Sequence, residues 1–274
     1  MSRDGQQSTK RPRRIYIGYD GRQQAAFAVA RMSAQAHTHA KDRYAPIEAV
    51  MVEQLQKAGL YTRRLYKALN EDNTFSHYYD PISGANMSTA FAISRFFVMY
   101  LGANEPVLRQ PGFNDKTKGW ALFMDCDMLV RDNLDSLFSE LEKANDTKAI
   151  FCVKHKHEPP EGTKMDGQLQ QLYLRKNWSS VMAFNLDHPA NKKLTLDMCN
   201  ELPGRDLHRF CWLEDDELIG SLDPKWNFLV GYSDPTVVPS IVHYTEGGPW
   251  LATTHPEFEN LPFADEWLSY ITGK

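Results

Sequence analysis

Residues Gly119 to Asp132 read GWALFMDCDMLVRD, and this stretch constrains the chain more than any other. An apolar run, Ala121 to Met124, is too hydrophobic to leave a core and ends in two carboxylates, Asp125 and Asp127. In a short strand residues i and i+2 point the same way, so the two acids emerge together at the strand end. Anions that close repel each other, and a purely structural role does not ask for such a pair. A hard divalent cation does, because Mg²⁺ or Mn²⁺ takes oxygen ligands and can share them with phosphates. A strand end followed by a capped helix accounts for Asp132 or Asn133 before Leu134 to Leu141, but leaves Asp125 and Asp127 unexplained.

The chain has 274 residues, 42% of them hydrophobic, enough for a sizeable core. It contains no apolar run near the roughly 20 residues that span a bilayer, and its polar first residues do not read as a secretory signal. Cys126, Cys152, Cys199 and Cys211 lack zinc-like spacing, which predicts reduced thiols and a cytoplasmic setting. The first fourteen residues carry five basic side chains and one acid, a formal +4 in a chain of net −4, so the remainder is −8. Residues 1–13 are expected to form a disordered basic tail, and the acidic body argues against nucleic acid as the partner.

Folded structure is expected from Arg14, with a strand Ile15 to Tyr19, a turn at Asp20-Gly21 and a helix Gln23 to Ala36. Further strands are predicted at Ile47 to Val52, Ala149 to Val153, Val181 to Phe184 and within Pro235 to His243. Helices are predicted at Ser88 to Leu101, Leu134 to Lys143 and Lys192 to Glu201, with a helix or turn at Trp212 to Leu222. Asn104 to Lys118 and His155 to Gly167 read as loops. The alternation predicts an α/β domain over residues 14–274, with a mostly parallel sheet covered on both faces and an irregular C-terminal part.

Such sheets bind ligands beyond the carboxyl ends of their strands, where Asp20, Asp125, Asp127 and His243 all fall. His243 leads through Tyr244 to the Gly247-Gly248-Pro249-Trp250 turn, whose glycines would let backbone N–H groups approach an anion. Arg95 on an apolar helix reads either as a snorkelling side chain or as a phosphate clamp. Lys154, His155, Lys156 and His157 form a basic loop, solvated or in contact with a diphosphate. Asn177-Trp178-Ser179-Ser180 pairs an aromatic ring with hydroxyls, suited to a sugar face or to a half-buried core position. Glu214 to Glu217 is a second acidic cluster beside Trp212, Leu213, Leu218 and Ile219.

In this order these parts resemble the GT-A glycosyltransferases, particularly the retaining glycogenin-like and lipopolysaccharide-galactosyltransferase-like enzymes. The resemblance runs from about Arg14 to Trp250 and rests on the DxD pair together with His243-Tyr244-Thr245 and Pro249-Trp250. It implies Asp125, Asp127 and His243 as ligands of Mn²⁺ (or Mg²⁺), with Asp125 also facing the donor's diphosphate. It implies Asp20, Arg95, Ser179 and Ser180 around a nucleotide sugar, UDP-linked; Tyr19 beside Asp20, Lys154 as a substitute cation and the backbone of Gly247 and Gly248 are further expected to face that donor. Asp215 and Asp216 would be the acids at the reaction centre, and the acceptor a saccharide or glycoconjugate. The chain departs from the family's pattern with Asp216 in place of a glutamine, Trp178 in place of an asparagine and Gly248 in place of a lysine. A haloacid-dehalogenase-type phosphatase and a non-catalytic nucleotide-sugar binder are the alternatives; the former normally opens its domain with DxD, which here lies at mid-chain.

Overall fold

The computed structural model describes residues 12–39, 47–104, 119–144, 147–155 and 178–273. Most of the basic tail, the expected loops over 105–118 and 156–167, and Lys156, His157 and Asn177 lie outside the described residues. The chain enters with β1 (Arg13–Gly18), a 3-10 turn (Gly21–Gln23), α1 (Gln24–Ala36), β2 (Glu48–Val50) and α2 (Val52–Lys57). Three short strands follow, β3 (Tyr66–Leu69), β4 (Phe75–Asp80) and β5 (Ala85–Met87), then α3 (Val98–Asn104), β6 (Trp120–Met124) and β7 (Met128–Val130). The remainder comprises α4 (Leu134–Lys143), β8 (Ile150–Cys152), β9 (Val181–Asn185), α5 (Leu196–Glu201), α6 (Gly204–His208), β10 (Ile219–Ser221), β11 (Phe228–Leu229), β12 (Ile241–His243) and α7 (Ala264–Thr272).

Six strands form the central sheet in the order β10-β8-β9-β6-β1-β2. Only β9 runs antiparallel to its neighbours, so the sheet is mostly parallel as expected. Every residue of β6 and β9 is buried, which is why both read as near-continuous apolar runs without alternation. Register decides which residues share an edge. Ile17 pairs with Met124 and Met124 with Val181, so the segments after β1 and β6 and the segment before β9 meet at one edge.

Two smaller sheets complete the fold. β11 and β12 are parallel and β12 runs antiparallel to β7, while β3, β4 and β5 form an antiparallel sheet absent from the expectations above.

Arg13, expected in the tail, is instead the first residue of β1. Its buried guanidinium bonds Asp135 at 2.6 Å and Glu142 at 3.3 Å, and lies 5.1 Å from the Phe138 ring centre, pinning α4 to the sheet.

The segment Ser88 to Leu101 is not the single amphipathic helix predicted. A 3-10 turn, Ser94–Phe97, runs into α3, and Ala90 to Met99 are all buried. With no solvated face, core contacts rather than periodicity set the backbone. Phe91 lies over Gly18, where a Cβ would sit 2.4 Å from the ring, so β1 needs glycine at its end. Lys192 to Glu201 likewise divides, into a 3-10 turn (Pro189–Lys193) and α5, because the Thr195 side chain caps the Met198 N–H and starts a new helix. The predicted helix over Leu134 to Lys143 is present and capped by Asn133, which accepts from the Asp135 N–H.

Candidate metal centre

Backbone bonds hold the DxD segment from both sides. The Asp125 N–H donates to the Ser180 carbonyl at 3.0 Å, and the Asp127 carbonyl accepts from the Tyr244 N–H at 3.0 Å. Because β12 pairs antiparallel with β7, with His243 opposite Met128, the imidazole comes to lie beside Asp127. One ligand atom each from Asp125, Asp127 and His243 falls within 4.8 Å of the others, and His243 Nε2 is 3.3 Å from Asp127 Oδ1. The residues are 8%, 9% and 3% exposed, so two carboxylates converge where water cannot fully solvate them.

Their charges are poorly matched within the protein itself. Among the described residues, Oδ1 of Asp125 and of Asp127 is buried with no hydrogen-bond partner, although Arg95 Nη1 approaches Asp125 Oδ1 to 2.9 Å as an ion pair. Burial, followed by repulsion from Asp127, pushes the Asp125 carboxyl up to about 7 against the opposing pull of Arg95 and His243. For His243, burial works against the charged ring, but the adjacent Asp127 and Asp125 outweigh it and raise its pKa. Orphaned acid oxygens with one imidazole nitrogen are a donor set for a divalent cation such as Mn²⁺. The residues present fit such an ion.

A polar shell braces this group. Arg95, packed 5.3 Å from the Phe91 ring centre and 5.1 Å from that of Phe123, donates through Nη1 to the Ser179 carbonyl at 2.8 Å. It therefore spans Asp125 and Ser179 rather than pointing to solvent. The Ser179 hydroxyl lies 2.7 Å from His208 Nδ1, and burial, aided by Arg95, drives the His208 pKa down to about 3, so that ring is neutral. Asn227 bonds both His243 Nδ1, at 2.9 Å, and Ser180 Oγ, at 2.8 Å. Sequence reading missed Asn227 and His208. Asn227 carried a signal, a lone amide between Trp226 and the apolar Phe228-Leu229; His208 carried none.

The other expected residues are distributed unevenly. Asp20 is fully buried, with its carboxylate held by Arg22 and by the Ala90 N–H at 2.9 Å. Burial opposes its charge, but these bonds win and hold its pKa below the usual range. Tyr19, at the end of β1, stacks edge-on against Phe27 at 5.1 Å. Lys154 follows β8 toward the same edge, with Nζ 5.7 Å from the centre of the half-buried Trp178 ring. Gly247 has φ +128, a left-handed value, and a Cβ there would also strike Phe258. Gly248 has an extended backbone but faces Trp250, whose ring a Cβ would meet at 2.1 Å, so the turn is glycine for packing as well as for flexibility.

Asp215 and Asp216 are not brought to the site. β10 runs parallel to β8, with Ile219 opposite Ile150; Ile150 is opposite Phe184, and Phe184 opposite Ala121. Residues preceding β10 therefore lie at the edge where β6 begins, whereas Asp125 follows its end. Both acids are exposed, and Asp215 caps a 3-10 turn by accepting from the Glu217 N–H at 2.8 Å. Strand direction, which a local acidic pattern does not encode, thus sets both acids apart from the Asp125-Asp127-His243 group they were expected to join.

No family model matches the chain. Protein CDI of Arabidopsis thaliana is 38% identical over 269 residues, covering 96% of this chain and 87% of that protein. Among solved structures, the glycosyltransferase GlyE of Streptococcus pneumoniae TIGR4 superposes with a TM-score of 0.51 at 12% identity, over 96% of this chain and 60% of that one. The bifunctional glycosyltransferase WbbM gives 0.54 at 15% identity, over 99% and 51%. A glycosyltransferase involved in glycosylation of the major capsid of PBCV-1 gives 0.50 at 12% identity, over 90% and 98%. The chain thus spans only 60% of GlyE and about half of WbbM. At these identities the likeness speaks for the fold. The chain belongs to the family of Protein CDI of Arabidopsis thaliana, built on the GT-A glycosyltransferase fold.

Proposed function

We propose that this chain is a metal-dependent glycosyltransferase that moves a sugar from a nucleotide-sugar donor, UDP-linked, to a saccharide or glycoconjugate acceptor. The observation that carries the reading is the buried Asp125-Asp127-His243 group, whose Oδ1 atoms have no hydrogen-bond partner among the described residues, at the carboxyl edge of a GT-A sheet. Asp125, Asp127 and His243 would hold Mn²⁺ (or Mg²⁺). When bound, such an ion supplies charge neutralisation at a leaving diphosphate. Arg95 keeps the Asp125 carboxylate and the Ser179 carbonyl in fixed relation, so the donor side of the site is preorganised. Tyr19 and Asp20 flank the nucleoside end, with Asp20 acting through the Arg22 and Ala90 bonds that shape the turn after β1. Lys154, Ser179, Ser180, Gly247 and Gly248 are proposed to face the diphosphate and sugar.

Retention at the anomeric carbon is part of the proposal, and Asp215 and Asp216, which lie at the opposite edge, are not proposed as its nucleophile. Their displacement favours one second reading, a nucleotide-sugar-binding protein without turnover. Incubation with a panel of nucleotide sugars and Mn²⁺, without acceptor, separates the two. A transferase releases UDP slowly by hydrolysis, and a binder is only stabilised, by about 2.7 kcal/mol at a hundredfold excess over Kd. Turnover that persists in excess EDTA would overturn the metal-dependent reading.

A further inference from the structure

The Asn227 amide is fully buried and placed to make two bonds of opposite sense. Its Nδ2 donates to Ser180 Oγ, which leaves Oδ1 as the atom facing His243 Nδ1 at 2.9 Å. A carbonyl oxygen accepts only, so that ring nitrogen must carry a proton. The other nitrogen, Nε2, is the one directed at Asp127. Ser180 closes the arrangement, since its carbonyl accepts the Asp125 N–H while its hydroxyl takes the Asn227 amide.

We infer that Asn227 is a positioning residue that fixes the tautomer and angle of His243, presenting Nε2 as a bare lone pair toward the metal position, and that through Ser180 it ties this ligand to Asp125. The inference rests on the metal reading above only for its purpose; the tautomer itself is a property of the metal-free protein. The mechanism is the usual one for imidazole ligands, whose second nitrogen is held by an acceptor that orients the ring and raises its basicity. Here a neutral amide does this, so no further charge is added beside two carboxylates.

Nitrogen-15 NMR of the histidine rings in metal-free wild-type protein at pH 9 tests the first half. A protonated Nδ1 and bare Nε2 on His243 are expected, and the reverse tautomer overturns the inference whatever the protein binds. Mn²⁺ titration followed by electron paramagnetic resonance tests the second half. Asn227→Leu should weaken Mn²⁺ about 10- to 100-fold. Asn227→Asp, which keeps an acceptor for the Nδ1 proton, should stay close to wild type. In a His243→Ala background, Asn227→Leu should cost nothing further. A folded Asn227→Leu variant that binds Mn²⁺ as wild type does, or that loses the same factor with and without His243, overturns it. Wild-type protein that shows the expected tautomer but binds no Mn²⁺ would remove the proposed function and leave the assignment of Asn227 standing.

Discussion

Arg95 pairs with Asp125, its Nη1 2.9 Å from Oδ1, while the same nitrogen donates to the Ser179 carbonyl at 2.8 Å. One cation is shared between a strand-end carboxylate and the turn that enters the neighbouring strand. The two side chains are 6% and 12% exposed, so water offers little substitute for either partner. Removing one member of such a pair strands the other, and Arg95→Met should cost about 3–5 kcal/mol in chemical denaturation. Adding Asp125→Asn to that variant should recover part of the loss, the signature of coupling.

Metal binding should strengthen as pH rises. Asp125 is raised to about 7 and His243 is raised above its ordinary value, so both hold protons that a cation must displace. The same shifts set the stability of the metal-free protein. Each group binds its proton more tightly folded than unfolded, Asp125 from about pH 4 to 7 and His243 above about 6.5, so stability falls as pH rises through these windows. Melting curves from pH 5.5 to 8 should show Tm declining without metal, and saturating Mn²⁺ should reverse the trend.

Asp127→Asn removes one of two crowded carboxylates and leaves the Arg95–Asp125 pair in place. Less repulsion at Asp125 should raise the metal-free Tm at pH 8, while stabilisation by Mn²⁺ and metal-dependent turnover disappear. Differential scanning fluorimetry with and without Mn²⁺ reads both effects, and a variant still stabilised by the ion would contradict the assignment of Asp127.

The glycine turn should resist any side chain. Gly248→Lys places a Cβ against Trp250, which packs on Tyr244 and Trp267, and Gly247→Ala meets both a left-handed backbone and Phe258. Each should cost about 1–3 kcal/mol through overpacking or strain, with a change in near-ultraviolet circular dichroism from the displaced indole. Unchanged spectra and stability would mean that the turn tolerates bulk.

Asp215→Asn and Asp216→Asn should both be mild. The acids are exposed at the edge opposite Asp125, and among the described residues the Asp215 side chain caps a short turn, so stability should change by no more than about 1 kcal/mol. Turnover of any donor hydrolysed by wild type should be kept, and a large fall in kcat with donor binding intact would return these acids to the reaction centre.

The local features of this chain were legible without a structure. An apolar run closed by Asp125 and Asp127, the Asn133 cap ahead of Leu134–Lys143 and the buried Val181 segment follow from side-chain alternation, burial and capping, which act over a few residues. The resemblance to GT-A enzymes carried His243 toward the same centre. Pairing between distant strands decided the rest. Antiparallel register of β12 on β7 brings His243 to Asp127, and the 3-10 turn Pro224–Asn227 that leads into β11 delivers Asn227 behind it. Equal acidic patterns met opposite fates: Asp125 follows a strand that ends at the site, whereas Asp215 precedes one that runs toward it from the far edge. Strand direction and register come from backbone hydrogen bonds between segments far apart in the chain, and a local pattern of side chains leaves both undetermined.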